Sequence, residues 1–203
     1  MKHKYPRTPH LPFSPGATSD DKILRSLAHF ENVEVVVTEK MDGENTSLYS
    51  FGFHARSLDS RHHESRDWLA AFHGRVAHEI PEGWRICGEN LYAQHSLPYD
   101  ALPSYFMGFS VWDETNTALA WDDTIEFFEL LGITPVRELY RGPFDLKALK
   151  ALADSLDLSK QEGFVMRRTA AIAYRDFPTS FAKYVRKGHV QTEEHWMHQA
   201  IIP

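Results

Sequence analysis

Residues 38 to 46 read Thr-Glu-Lys-Met-Asp-Gly-Glu-Asn-Thr, directly after the apolar run Val33, Val35, Val36 and Val37. A lysine fixed at the end of a buried strand is a candidate covalent nucleophile, because its amine attacks an electrophile once the proton is gone. Asp42-Gly43 between two strand-like runs is equally a hairpin signal. The segment alone leaves both readings open. A free lysine amine, with a pKa of about 10.4, is almost wholly protonated at neutral pH. Carboxylates such as Glu39 and Asp42 hold a proton on an adjacent amine, and a second cation helps to remove it.

Four more segments place a charge at the edge of a short apolar strand. Arg56 lies in His-Ala-Arg-Ser, and Glu89 in Gly-Glu-Asn-Leu-Tyr. Glu162 lies in Gln-Glu-Gly-Phe-Val-Met-Arg, and Lys183 in Phe-Ala-Lys-Tyr-Val-Arg. Charges rarely sit inside strands unless paired or functional. Brought together with Lys40, these groups make a pocket of two lysines, an arginine and two carboxylates. Such a pocket suits a nucleoside triphosphate and a divalent cation held through oxygen ligands. Lys183 is then the second cation that an amine nucleophile needs.

The ordered set Lys-x-Asp-Gly, Arg-Ser, Gly-Glu-Asn, Gly-Phe-Ser-Val-Trp-Asp, Glu-Gly-Phe-Val-Met-Arg and Lys-Tyr-Val-Arg resembles the covalent nucleotidyltransferase superfamily. That superfamily holds polynucleotide ligases and messenger-RNA capping enzymes, and within it the chain is most similar to ATP-dependent RNA ligases. The match runs from Glu39 to Arg186. The resemblance implies that Lys40 attacks the α-phosphate of ATP, expels pyrophosphate and holds AMP as a phosphoramidate. AMP then passes to an RNA 5′-phosphate, and a 3′-hydroxyl displaces it. It further implies that Asn45 lies near the phosphates, that Arg56 contacts the nucleotide or the RNA phosphate, and that Glu89 binds the ribose. Phe109 would stack on adenine, and Lys183 would contact the α-phosphate. Glu162 and Asp42 are the implied ligands of Mg2+ or Mn2+, and Glu39 and Arg186 complete the nucleotide set. Val185 stands where many relatives carry a second lysine, which leaves Arg186 or Lys187 to supply that charge.

Bulk properties agree with a globular enzyme. The 203 residues are 42% hydrophobic and 25% charged, enough for one sizeable core. One adenylyltransferase domain over 1–203 is expected, with a proline-rich arm over 1–17. Only 17 residues follow Arg186, which leaves no room there for an oligonucleotide-binding barrel. The net charge of −6 argues against nucleic-acid binding by bulk charge alone. Residues 163–190 nevertheless carry a net charge of +5, and residues 113–131 a net charge of −6. Cys87 is the only cysteine, so an intrachain disulfide is excluded and a reducing cytoplasm fits. No signal peptide or membrane span is visible, and a monomer is expected.

The elements that must position these groups follow from periodicity. Strands are predicted over 33–39, 45–51, 53–58, 84–92, 105–112, 133–139, 163–168 and 180–186. Helices are predicted from Thr18 or Ser19 to about Phe30, over 64–79, from Asp122 or Asp123 to Leu131, over 145–156 and near 193–200. Strands in runs with few helical crossovers indicate an α+β fold with antiparallel sheets around a nucleotide cleft. Arg61, His62, His63 and Arg66 form a second cationic run, read as an RNA-phosphate contact or as an exposed loop. His189, His195 and His198 have loose metal-ligand spacing. Arg7 and His10 belong to an arm that either packs on the domain or folds over the nucleotide. Other lysyl-nucleotidyl transfers, capping or DNA nick joining, and a non-catalytic RNA-end or nucleotide-binding module are the alternatives.

Overall fold

A computed structural model describes residues 1–58 and 63–188. Its strands, in chain order, are β1 (Glu34–Lys40), β2 (Glu44–Tyr49), β3 (Gly52–Ala55), β4 (Arg85–Asn90), β5 (Phe106–Trp112) and β6 (Thr117–Ala118). They continue as β7 (Thr134–Pro135), β8 (Glu138–Pro143), β9 (Gly163–Arg168), β10 (Ile172–Ala173) and β11 (Phe181–Val185). The helices are α1 (Ser65–Val76), α2 (Trp121–Leu131), α3 (Leu146–Ser155) and the single turn α4 (Phe177–Ser180).

Two sheets result. One runs β11-β9-β1-β8 and is antiparallel throughout. The other runs β10-β6-β5-β4-β2-β3, with β7 parallel beside β5. Alternation along the first sheet assigns its two faces. Val35, Val37, Phe164, Met166, Ala182 and Tyr184 pack against Leu149 and Ala153 of α3. Val36, Thr38, Lys40, Val165 and Lys183 therefore project from the opposite face. In the second sheet Leu48, Ile86 and Val111 pack on Leu69, Phe72 and Val76 of α1 and on Phe128 of α2. Cys87 and Trp112 of that sheet meet Phe177 and Phe181, so the free faces of the two sheets come together at a seam.

Four expectations are corrected. Asp42-Gly43 is no hairpin turn, because β1 pairs only with β8 and β9 while β2 pairs with β3 and β4. The chain crosses from one sheet to the other at Met41–Gly43. Gly43 is needed there for space, since a Cβ on it would sit 2.5 Å from the Asn90 carbonyl oxygen. No α-helix forms before Phe30, and only a 3-10 turn closes the segment at Ala28–Phe30. The backbone there bonds across the chain instead: His10 N–H donates to Lys22 O at 2.7 Å and Leu24 N–H to His10 O at 2.9 Å. The predicted strand over 133–139 is two strands, β7 and β8, in different sheets. Helix α2 starts after Ala120 without a side-chain cap, and Asp122 and Asp123 lie in its first turn. The predicted helix near 193–200 falls outside the described residues.

Candidate active site

Glu39, Lys40, Asn45, Arg56, Glu89 and Phe109 line one cleft at the seam of the two sheets, with about 680 Å³ of space open to solvent on one side. Lys40 ends β1 with its Cα opposite Gly163 of β9. Gly163 has φ +151, and a Cβ on it would sit 1.9 Å from the Tyr184 carbonyl oxygen. Only glycine lets β9 and β11 approach this closely beside the lysine. Lys183 of β11 is level with Val165 of β9, which is level with Thr38 of β1. Thr38 and Lys40 are two residues apart, so Lys183 and Lys40 share the cleft face of the sheet. Among the described residues no hydrogen bond or ion pair engages the Lys40 amine.

The second sheet supplies the opposite wall. Asn45 of β2 is level with Glu89 of β4, which is level with Met107 of β5. The Asn45 Oδ1 atom is buried without a hydrogen-bond partner. Such an atom is uncommon in a folded protein and marks a place where a ligand donor can sit. Arg56 follows the end of β3 and faces Glu89 and Lys183 electrostatically. Glu89 Oε1 accepts the Gly43 N–H at 3.1 Å, which ties the second sheet to the loop after Lys40.

The charges perturb one another. Burial pushes the Lys183 amine down to about 7, and the Lys40 and Arg56 cations push it further the same way. Burial pushes the Glu89 carboxyl up to about 7, and Asp42 adds to this while Lys40 and Arg56 oppose it. Desolvation combined with specific charged neighbours, in a cleft, is the pattern of a functional site.

Asp42, Glu162 and Arg186 lie just outside this lining. Arg186 Nε donates to Glu162 Oε2 at 2.9 Å, and its Nη2 donates to Ser96 Oγ at 2.8 Å. Ser96 Oγ donates to Asp42 Oδ2 at 2.7 Å, and the Ser96 and Leu97 N–H groups reach the same oxygen at 2.8 and 2.9 Å. Tyr99 Oη accepts the Asp42 N–H at 2.7 Å. A continuous chain thus runs from Glu162 through Arg186 and Ser96 to Asp42, bracing the loop after Lys40. Glu162 is fully buried and Asp42 is 4% exposed, and both carboxylates are hydrogen-bonded within the protein. Arg186 likewise serves Glu162 rather than the cleft, and Lys187 is exposed. No group of three or more metal-ligating side chains occurs among the described residues. Glu89 stands on the wall opposite Lys40, whereas Glu39 lines the cleft from β1 with its side chain following the alternation of Val35 and Val37. Glu89 fits a cation that keeps water and phosphate oxygens as its other ligands. Gln161 Nε2 steadies Glu39 through a bond of 2.9 Å to Oε1.

Several lining residues carry no signal in the sequence. Tyr5 and Thr8 of the arm, and Trp121 of α2, face the cleft. Arg167 ends the quoted Glu-Gly-Phe-Val-Met-Arg segment and also lines it, 3% exposed, with its Nη1 unpartnered. Burial pushes its guanidinium down to about 10. The described part of the positive stretch is therefore split: Arg167 and Lys183 turn inward and Arg186 is tied to Glu162, while Arg175 and Lys187 are exposed. In the acidic stretch, Asp122 pairs with Arg141 at 2.6 Å and Glu114 accepts the Trp84 Nε1–H. Arg66 is not an RNA contact, because its guanidinium makes a buried two-pronged pair with Glu44. Arg61 and His62, and the histidines 189, 195 and 198, lie outside the described residues.

A lysine nucleophile candidate at the seam of two mainly antiparallel sheets, with a second lysine on its sheet face and an arginine and a carboxylate across the cleft, defines a ligase nucleotidyltransferase domain. The chain belongs to the RNA ligase family, whose model, described as RNA ligase, matches residues 33–185. The fold is similar to that of a Naegleria gruberi RNA ligase variant solved with ATP and Mn, with TM-score 0.56 and 16% identity over 78% of this chain and 51% of that one. It is also similar to an archaeal ATP-dependent RNA ligase, with TM-score 0.61 and 17% identity over 89% of this chain and 48% of that one. The chain thus spans about half the length of these structures. A comparison with curated proteins finds no sequence match. No helix among the described residues is long and apolar enough to cross a membrane.

Proposed function

We propose that this chain is the adenylylating domain of an ATP-dependent RNA ligase. The observation that carries the reading is the placement of Lys40 and Lys183 on one sheet face, across the cleft from Asn45, Arg56 and Glu89. The Lys40 amine attacks the α-phosphorus of ATP, the bond to the bridging oxygen breaks, and pyrophosphate leaves. The amine loses a proton as the phosphoramidate forms. The positive charge of Arg56, Lys183 and Arg167 offsets the charge that builds on the phosphate oxygens, which is the main contribution a protein makes to such transfers. Phe109 packs on the base, and Glu89 reaches the ribose. Glu89 is the cleft carboxylate that would hold a divalent cation, which would supply further neutralisation of the triphosphate charge. AMP then passes from Lys40 to an RNA 5′-phosphate, and a 3′-hydroxyl displaces it to seal the strand. Family membership and the two RNA ligase structures support RNA as the polynucleotide.

Incubation with α-labelled ATP and Mg2+ tests the reading. A covalent, acid-labile protein–AMP adduct is expected, absent in Lys40→Ala. Chase of the isolated adduct with nicked or single-stranded 5′-phosphorylated RNA should transfer the label, and DNA of the same sequence should take it less well. No adduct with Mg2+ or Mn2+ defeats the proposal.

A further inference from the structure

The family match begins at residue 33, so the first 32 residues lie outside it. Yet Tyr5 and Thr8 line the cleft. The Tyr5 ring is 6% exposed and meets Phe109 edge-on, with centroids 5.4 Å apart and planes at 74°. It meets Phe177 in the same manner at 5.5 Å and 86°. Cys87 and Trp112 from one sheet and Phe181 from the other complete its surroundings. Tyr5 therefore plugs the end of the cleft where the two sheets converge, beside the aromatic ring that packs on the base. Its hydroxyl is buried near Cys87 and hydrogen-bonds Ser110, with Arg56 and Arg167 acting on it at longer range.

The arm is fastened on both sides of Tyr5. Before it, Tyr49 Oη accepts the His3 N–H at 2.8 Å and Tyr174 Oη donates to Lys4 O at 2.6 Å. After it, the arm pairs with β11 around Lys183: Lys183 N–H donates to Pro9 O at 2.9 Å and Leu11 N–H to Lys183 O at 2.8 Å. Ser14 Oγ accepts the Val185 N–H at 2.9 Å and bonds His10 Nδ1 at 2.8 Å. The His10 Nε2 atom lies 3.5 Å from the Asp21 carboxylate. A segment that only covered a core would not need to place a tyrosine beside Phe109 and its backbone beside Lys183.

We propose that the N-terminal arm is a wall of the nucleotide subsite and that Tyr5 determines which base the cleft accepts. The proposal rests on the nucleotidyl-transfer reading for the identity of the ligand. An aromatic edge at a fixed distance from Phe109 limits the lateral room for a purine. The hydroxyl, held by Ser110, keeps one further hydrogen-bonding position for the purine edge. Adenine and guanine differ at that edge in amino and carbonyl groups, so one fixed partner discriminates between them.

Equilibrium dialysis of labelled ATP and GTP against Lys40→Ala protein, which needs no covalent step, tests this. Adding Tyr5→Leu should raise the ATP dissociation constant about two- to tenfold, the range for a lost aromatic contact, and narrow the preference for ATP over GTP. Tyr5→Phe should keep ATP affinity while shifting the ATP to GTP ratio. Should Tyr5→Leu not fold, Tyr5→His gives the same ratio with an aromatic ring kept in place. Folded Tyr5 variants with unchanged affinity and unchanged ratio would overturn the proposal. Absence of the adduct in wild-type protein defeats the enzyme reading instead, and leaves the dialysis result to decide the arm.

Discussion

Lys183→Met is the perturbation with the most calculable consequence. The folded protein holds this amine at about 7 against an ordinary 10.5, mainly through burial and then through Lys40 and Arg56. Below pH 7 the amine is protonated in both the folded and the unfolded chain, and the folded state carries the whole desolvation and repulsion penalty. Between 7 and 10.5 the unfolded chain binds a proton that the folded chain does not, so stability rises with pH. At 1.36 kcal/mol per pH unit, the two units from pH 7 to 9 correspond to at most about 2.7 kcal/mol. Part of the side chain remains accessible, so roughly 2 kcal/mol is the expectation. Methionine keeps much of the volume and removes the titration. Urea unfolding of wild type and Lys183→Met at pH 6, 7, 8 and 9 measures it. The wild-type curve should climb relative to the variant above pH 7, and the variant should be the more stable at pH 6. Titrating groups that do not interact with Lys183 cancel in the difference. Parallel curves from pH 6 to 9 would refute the argument that the two lysines share a desolvated face.

Gly43→Ala should leave the sheets folded but displace the nucleophile loop, because its Cβ would meet the Asn90 carbonyl oxygen at 2.5 Å and the Leu91 side chain at 2.8 Å. The adduct yield should fall at least tenfold while the far-ultraviolet circular dichroism is retained. Arg66→Met removes the two-pronged partner of the buried Glu44 carboxylate and should destabilise the protein by about 3–5 kcal/mol in urea unfolding. The double variant with Glu44→Leu should recover most of that loss, and equal instability of single and double variants would show that the pair is not what matters.

Element type was legible wherever the pattern was long and regular. The alternation through β1, β9 and β11 placed those strands within a residue or two, and α1 and α3 followed from helical spacing. The ordered charged segments identified six side chains that do line one cleft. The failures have a common cause. Asp42-Gly43 reads as a hairpin from local chemistry, but whether consecutive strands pair is decided by which faces find partners elsewhere. The segment before Phe30 carries helix-capping residues, yet its backbone finds donors and acceptors in the arm ten or more residues away.

The residue types needed for nucleotidyl transfer, their order and the strand ends that carry them were determined by the sequence itself, since motif spacing and two-residue alternation are local properties. Which partners engage each carboxylate was decided only by tertiary structure. Asp42 bonds Ser96 and Leu97, and Glu162 bonds Arg186, across separations in the chain that no local pattern encodes. Glu89 lines the cleft from the opposite sheet. The arm is the other such case: Tyr5 has no motif around it, and its place beside Phe109 exists because burying a ring at the convergence of two sheets, with the arm's backbone paired to β11, is where that segment loses least and gains most.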